Sequence, residues 1–243
     1  MSALLAVEGL TKSFGGIHAL DDCGFEIAEG SVGALIGPNG SGKTTAFNVI
    51  TGYQPADAGR LAFRGRAVRR PDPCRLQRLG MARTFQQARV FPGLSTLENV
   101  VLARHQSWHA LLRRRVPSVD RRRAEDLLDE FGLGAHADMP AGTLSYGQRK
   151  LLEFASVLMG EPALVLLDEP TAGVNPILVD TIEHHIRRRH AQGVTFLIVE
   201  HEMSFVMRLC DPVIVLDRGR PIACASPREI QNDPRVLDAY LGD

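Results

Sequence analysis

Gly37-Pro38-Asn39-Gly40-Ser41-Gly42-Lys43-Thr44 is a glycine-rich turn closed by Lys-Thr, and its neighbours give it meaning. The run Ser31–Ile36 before it is short and apolar, as a buried strand is, and Thr44–Ile50 after it can start a helix. Strand, loop and helix in that order are the context in which G-x-x-x-x-G-K-S/T reads as a polyphosphate cradle. Glycine admits backbone torsions closed to other residues, so successive N–H groups can face phosphate oxygens. The helix N-terminus adds partial positive charge. In such a loop Lys43 reaches the β- and γ-phosphates and Thr44 offers a hydroxyl to Mg²⁺.

Upstream of the loop the pattern alternates, predicting strands at Leu4–Leu10, Gly24–Ile27 and Val32–Ile36, with another at Arg60–Phe63 after the Asp57-Ala58-Gly59 turn. Beyond Gln86 the spacing turns helical, over Thr96–His105, Arg121–Phe131 and Gln148–Met159. From Ala163 short β runs and helices alternate: Leu164–Leu167, Ile177–His190, Thr195–Val199, Met203–Cys210 and Val213–Leu216. That alternation predicts a largely parallel, doubly covered sheet. Ser226-Pro227 with Glu229, then Asp233-Pro234, mark the starts of two C-terminal helices. The expected division is a nucleotide-binding core of residues 1–86 and 146–243, interrupted by a helical subdomain at 87–145. Within that insertion Trp108–Asp120 is the least regular stretch. Its arginines 113–115, like those at 121–123, suit a solvated face or phospholipid head groups.

The chain has 243 residues, 44% apolar and 23% charged, with zero net charge. That is ordinary globular composition, and no whole-chain field draws it to nucleic acid. No apolar run approaches the roughly 20 residues of a membrane span, and no signal segment opens the chain, so a cytoplasmic address is expected. Cys23, Cys74, Cys210 and Cys224 form no C-x-x-C pair and read as unpaired thiols. His184, His185 and His190 lack a regular ligand face, so a solvated helix surface and no zinc are expected.

Phosphoryl chemistry needs a carboxylate near Mg²⁺ and a group that activates the attacking water. Ala163–Leu167 is a buried strand running into Asp168-Glu169-Pro170, which gives Asp168 the metal role and Glu169 the base role. His201 follows the strand Thr195–Glu200 at the same sheet edge, within reach of a γ-phosphate. Leu144-Ser145-Tyr146-Gly147-Gln148 precedes a helix, where Ser145 is either its N-cap or part of a second phosphate site. With a P-loop already in the chain, such a second site would serve another chain's nucleotide, in a head-to-tail dimer sandwiching two ATPs.

The order P-loop, Gln86, Leu-Ser-Tyr-Gly-Gln, Leu-Leu-Asp-Glu-Pro, His201 resembles the ATP-binding subunit of an ABC transporter. The resemblance implies a P-loop α/β core with an N-terminal antiparallel β portion and an inserted helical subdomain. It implies that ATP is held by Gly37, Pro38, Asn39, Gly40, Ser41, Gly42, Lys43, Thr44 and Thr45, with Phe14 stacked on adenine. Ser145, Gly147 and Gln148 would close on the partner's ATP, while Thr44, Gln86 and Asp168 would hold Mg²⁺. Glu169, His201 and Gln86 would carry hydrolysis.

Tyr146 and Asn175 depart from the family's commoner glycine and aspartate. Together with Arg83-Thr84-Phe85-Gln86, Ala172-Gly173-Val174-Asn175-Pro176 and Ala239-Tyr240-Leu241-Gly242, they are similar to an ATPase of the branched-chain amino acid importers. Such importers imply two membrane permeases, a second related or identical ATPase and a periplasmic solute-binding protein, with this subunit on the cytoplasmic face of the bacterial inner membrane. Urea or amide importers and lipopolysaccharide-type exporters are similar alternatives. A soluble ABC-type ATPase acting on DNA or ribosomes is disfavoured, since no basic, aromatic-interleaved surface is apparent. A GTPase is disfavoured because no Asn-Lys-x-Asp motif is present.

Overall fold

Continuous apolar strands and alternating ones end up in different sheets of this computed structural model, which describes residues 3–104 and 118–241. The chain begins with β1 (Ala3–Phe14), β2 (Ile17–Ala28), β3 (Val32–Ile36), α1 (Lys43–Ile50), β4 (Ala58–Phe63) and β5 (Arg66–Ala67). It continues through α2 (Pro73–Arg78), β6 (Met81–Arg83), α3 (Thr96–Ala103), α4 (Ser118–Glu130), α5 (Tyr146–Leu158) and β7 (Leu164–Asp168). It closes with α6 (Pro176–Ala191), β8 (Thr195–Val199), α7 (Met203–Leu209), β9 (Val213–Asp217), β10 (Arg220–Ala225), α8 (Pro227–Gln231) and α9 (Pro234–Leu241). The arginines at 113–115, with Trp108, Pro117 and Gly242, lie outside the described residues.

One sheet is antiparallel in the order β2-β1-β4-β5; the other has the order β10-β9-β3-β8-β7-β6. In the second sheet every pairing is parallel except β10 with β9. Every residue of β3, β7 and β8 is buried, as strands covered on both faces require. The pleat then sorts their side chains. Val32, Ala34, Ile36, Val165, Leu167, Phe196 and Ile198 join one apolar cluster with Val100, Leu128, Leu152 and Phe205 from the helices. Leu35, Leu164, Leu166, Leu197 and Val199 join another with Phe47 and Ile50 of α1 and with Leu5, Val7 and Phe63 of the antiparallel sheet. A helical layer on one face and the antiparallel sheet on the other sandwich the parallel strands. That arrangement agrees with the α/β class expected from the sequence.

The residues 87–145 contribute α3, α4 and the 3-10 turns Gly134–His136 and Ala141–Thr143. Leu97, Val100, Leu127 and Leu128 of this segment share one cluster with the parallel strands, so its apolar side is continuous with the core. Arg121 pairs with Glu125, and Arg123 with Glu161. Among the described residues no helix is long and apolar enough to cross a membrane.

One expectation about the histidines fails. His185 is only 4% exposed, and its ring stacks on Phe131 with centroids 3.9 Å apart. It shares the inward stripe of α6 with Val179, Ile182 and Ile186, so helix periodicity carries it into the core. Burial pushes its pKa below the ordinary range. The sequence reading also passed over α2, β5, β6 and β10. For α2 a signal existed: Asp72-Pro73 repeats the cap–proline pattern, and Asp72 accepts from the Arg75 N–H at 2.8 Å. The three-residue β6 lies at the sheet edge and is too short for any period to be read.

Candidate functional site

The loop between β3 and α1 owes its shape to two glycines. Gly37 has φ +146° and Gly42 has φ +104°. A Cβ on Gly37 would lie 2.0 Å from the Leu216 carbonyl oxygen, and one on Gly42 would lie 2.3 Å from that of Ala19. Neither contact is sterically possible, so the loop can wind this tightly only without side chains there. Lys43 is 5% exposed, and its Nζ donates to the carbonyls of Gly37 at 2.7 Å and Pro38 at 2.8 Å. Burial lowers its pKa, partly offset by the Glu169 carboxylate. No side chain caps α1, so its first-turn N–H groups are not engaged by one. Thr44 is exposed, and Thr45 behind it is half-buried.

Across the sheet edge, β7 delivers Asp168 and Glu169. Glu169 Oε1 lies 2.8 Å from His201 Nε2, and its Oε2 accepts from Gln86 Nε2 at 2.7 Å. Two residues distant in sequence thus converge on the Glu169 carboxylate. Asp168 is 5% exposed and accepts from Arg83 at 2.8 Å. Arg83 also donates to Asn48 and Thr51, and its guanidinium lies against the rings of Phe47, Tyr53 and Phe85. Thr44, Gln86 and Asp168 line one cavity of about 510 Å³, together with Arg83 and Asn48. A hydroxyl, an amide oxygen and a carboxylate facing one space are the hard oxygen donors that suit Mg²⁺.

The Ser145 segment stands apart from that cavity, since neither Ser145 nor Gly147 lines it. Ser145 Oγ accepts from the Gln148 N–H at 3.2 Å while Gln148 Oε1 accepts from the Ser145 N–H at 2.9 Å, a reciprocal capping box. A Cβ on Gly147 would lie 2.5 Å from Leu178 Cδ2, so this position closely approaches α6. Tyr146 donates its hydroxyl to Ala172 O at 3.3 Å, and its ring covers Gly173. Asn175 caps α6 by accepting from the Leu178 N–H at 2.9 Å, so this departure from aspartate keeps a capping oxygen. Phe14 is 45% exposed, with Lys12 Nζ 5.4 Å from its ring centroid.

Sequence reasoning missed Glu200. This carboxylate, 3% exposed, accepts from both the N–H and hydroxyl of Thr171, at 2.8 Å and 2.6 Å, and from the His201 N–H at 2.8 Å. It ties the loop after Glu169 to the backbone of His201. Its place between an apolar strand and His201 was the available signal. Arg83 belongs to the Arg83-Thr84-Phe85-Gln86 stretch, but its ion pair with Asp168 has no local signature.

A family model described as ABC transporter matches residues 20–172, and one described as branched-chain amino acid ATP-binding cassette transporter matches residues 220–243. The high-affinity branched-chain amino acid transport ATP-binding protein LivG of Salmonella typhimurium is 38% identical over 99% of this chain and 98% of its own length. The corresponding protein BraF of Pseudomonas aeruginosa is 36% identical with the same coverage. Among solved structures, the ADP conformation of an ATP-binding cassette of an ABC transporter superposes with a TM-score of 0.88, at 34% identity and full coverage of both chains. A dimeric post-hydrolysis cassette bound to ADP and Pi gives a TM-score of 0.79 at 25% identity, covering 92% of this chain and 99% of that one.

Proposed function

The chain belongs to the ABC transporter family as an ATP-binding, ATP-hydrolysing subunit, and from that premise we propose that it powers uptake of small solutes, branched-chain amino acids foremost. Relatives with branched-chain amino acid transport names along the full chain support the solute class, as does the match at residues 220–243. The observation that carries the chemistry is the Glu169 carboxylate, hydrogen-bonded on one side to His201 and on the other to Gln86.

In this scheme the loop Gly37–Thr44 binds the phosphates, Lys43 leaves its loop carbonyls for the β- and γ-phosphates, and Phe14 presents its exposed ring to adenine. Thr44, Gln86 and Asp168 would hold Mg²⁺, which neutralises charge on the phosphate oxygens when bound. Glu169 accepts a proton from the water that attacks the γ-phosphorus, and the bond to the bridging oxygen breaks to leave ADP and phosphate. His201 and Gln86 orient that carboxylate. Ser145, Gly147 and Gln148 close on the nucleotide of a second ATP-binding chain, either a copy or a relative. Two ATPs across such an interface favour the closed dimer, and loss of phosphate removes the bias. The 87–145 segment passes this motion to two permeases at the inner membrane, fed by a periplasmic solute-binding protein.

Tagged pull-down from detergent-solubilised membranes tests the transport role. Recovery of two polytopic permeases and a second ATPase supports it. Recovery of ribosomes or DNA without a membrane protein overturns it and leaves the ATPase chemistry standing.

A further inference from the structure

Lys150 and Glu153 are ionisable side chains, 6% exposed each, and not used by the hydrolytic scheme above. They lie about one turn apart on α5, the helix that begins at the Ser145–Gln148 capping box. Lys150 Nζ donates to the Glu169 carbonyl at 2.8 Å and to that of Pro170 at 3.3 Å. Glu169 itself has φ +48°. A non-glycine residue in that left-handed conformation is strained, and it persists only where its surroundings enforce it. The Glu169 N–H is tied to Val199 O at 2.9 Å, so the Lys150 ammonium completes a hold on both sides of the residue.

One turn further, Glu153 Oε1 accepts from the N–H groups of Phe85 at 3.2 Å and Arg89 at 3.1 Å, bracketing Gln86. At the start of the helix, Tyr146 bonds Ala172 in the loop leaving Glu169. A single helix therefore grips the backbone of Glu169, both flanks of Gln86 and the loop that follows. An α-helix is stiff over two turns, so these grips share one displacement.

We propose that Lys150 and Glu153 are positioning residues for hydrolysis, holding Glu169 and Gln86 in register with the Ser145–Gly147 segment at the head of the same helix. Closure of that segment on a partner's nucleotide is then felt at this chain's own reacting carboxylate, which couples the dimer's two sites. The inference rests on the reading of Glu169 as the base.

The test is steady-state ATP hydrolysis by Lys150→Met, which keeps the apolar stem and removes all donors, counted per nucleotide-binding molecule. Expected are a kcat lower on the order of 10- to 100-fold and an unchanged KM for ATP, since a misplacement of about 1 Å can have that effect. The double variant Lys150→Met/Glu169→Gln should turn over no more slowly than Glu169→Gln alone, because Lys150 acts only through Glu169. Lys150→Gln is held to the same criteria, should the methionine variant fold poorly. Glu153→Ala should lower kcat at parental KM and speed hydrogen exchange at the Phe85 and Arg89 amides. Parental kcat in the Lys150 variants, or losses that multiply in the double variant, would overturn the proposal. A parent protein without Mg²⁺-dependent hydrolysis would instead remove the ATPase reading, a result separable from either.

Discussion

Nε2 of His201 sits 2.8 Å from Oε1 of Glu169, although 32 residues separate them in the chain. With Gln86 on the other oxygen, the carboxylate has a fixed orientation rather than a freely rotating one.

The role proposed for Glu169, as the base that takes the water's proton, predicts that Glu169→Gln binds ATP and dimerises, yet hydrolyses on the order of 10²–10⁴ times more slowly. His201→Ala should lose less, because Gln86 still holds one oxygen. Phosphate release at saturating ATP checks both, and equal turnover in Glu169→Gln and parent would sink the base assignment.

Lys43 has its ammonium against the loop carbonyls, where a phosphate-bound nucleotide would draw it outward. Lys43→Ala removes a charge-assisted bond of about 1.5–3 kcal/mol, or roughly 10- to 100-fold in nucleotide affinity. Unchanged ATP affinity by calorimetry would contradict the cradle.

The loop glycines should not be equivalent. Gly37→Ala places a methyl 2.0 Å from Leu216 O, and we expect a loss of about 3 kcal/mol or more in unfolding free energy. Gly40 has φ +79° with open space around a Cβ, so Gly40→Ala should cost only about 1–2 kcal/mol. Urea denaturation compares them, and similar losses would refute the steric account.

The thiols divide by burial. Desolvation pushes Cys23 and Cys210 from the ordinary 9.0 up to about 12, so both stay protonated in the native protein at pH 8. Because the thiolate is the nucleophile, a thiol reagent at pH 8 should label the exposed Cys74 and Cys224 and spare the buried pair until the chain is denatured. The sign for stability follows. The native state holds these protons above pH 9.0 while the unfolded chain releases them, so stability falls as pH rises from about 9.0 towards about 12. Full labelling of the native protein at pH 8 would contradict it.

Much of the candidate site is legible in the sequence. Lys43, Asp168, Glu169 and His201 each stand at the end of a short apolar strand or at the head of a helix, and local pattern reveals such ends. Gln86 was found through its motif rather than through periodicity, because β6 before it is only three residues long. For His185 the polar residue type points outward while its position on the α6 stripe points inward, and position decides: the ring lies stacked on Phe131 in the core.

Local sequence marks the strand–loop–helix at residues 31–50, the alternation that makes a parallel sheet, and the helix caps at Ser145 and Ser226. All of these rest on interactions within a few residues, so neighbours in the chain suffice to specify them. Which polar groups meet depends on how the chain folds back on itself. Arg83 and Asp168 pair across 85 residues, Gln86 reaches Glu169 across 83, and Lys150 clasps a carbonyl 19 residues on. Such contacts follow from strand order in the sheet and from the seating of α5 beside it. No spacing along the chain encodes them, because burial leaves each charge only the partner that packing brings within reach.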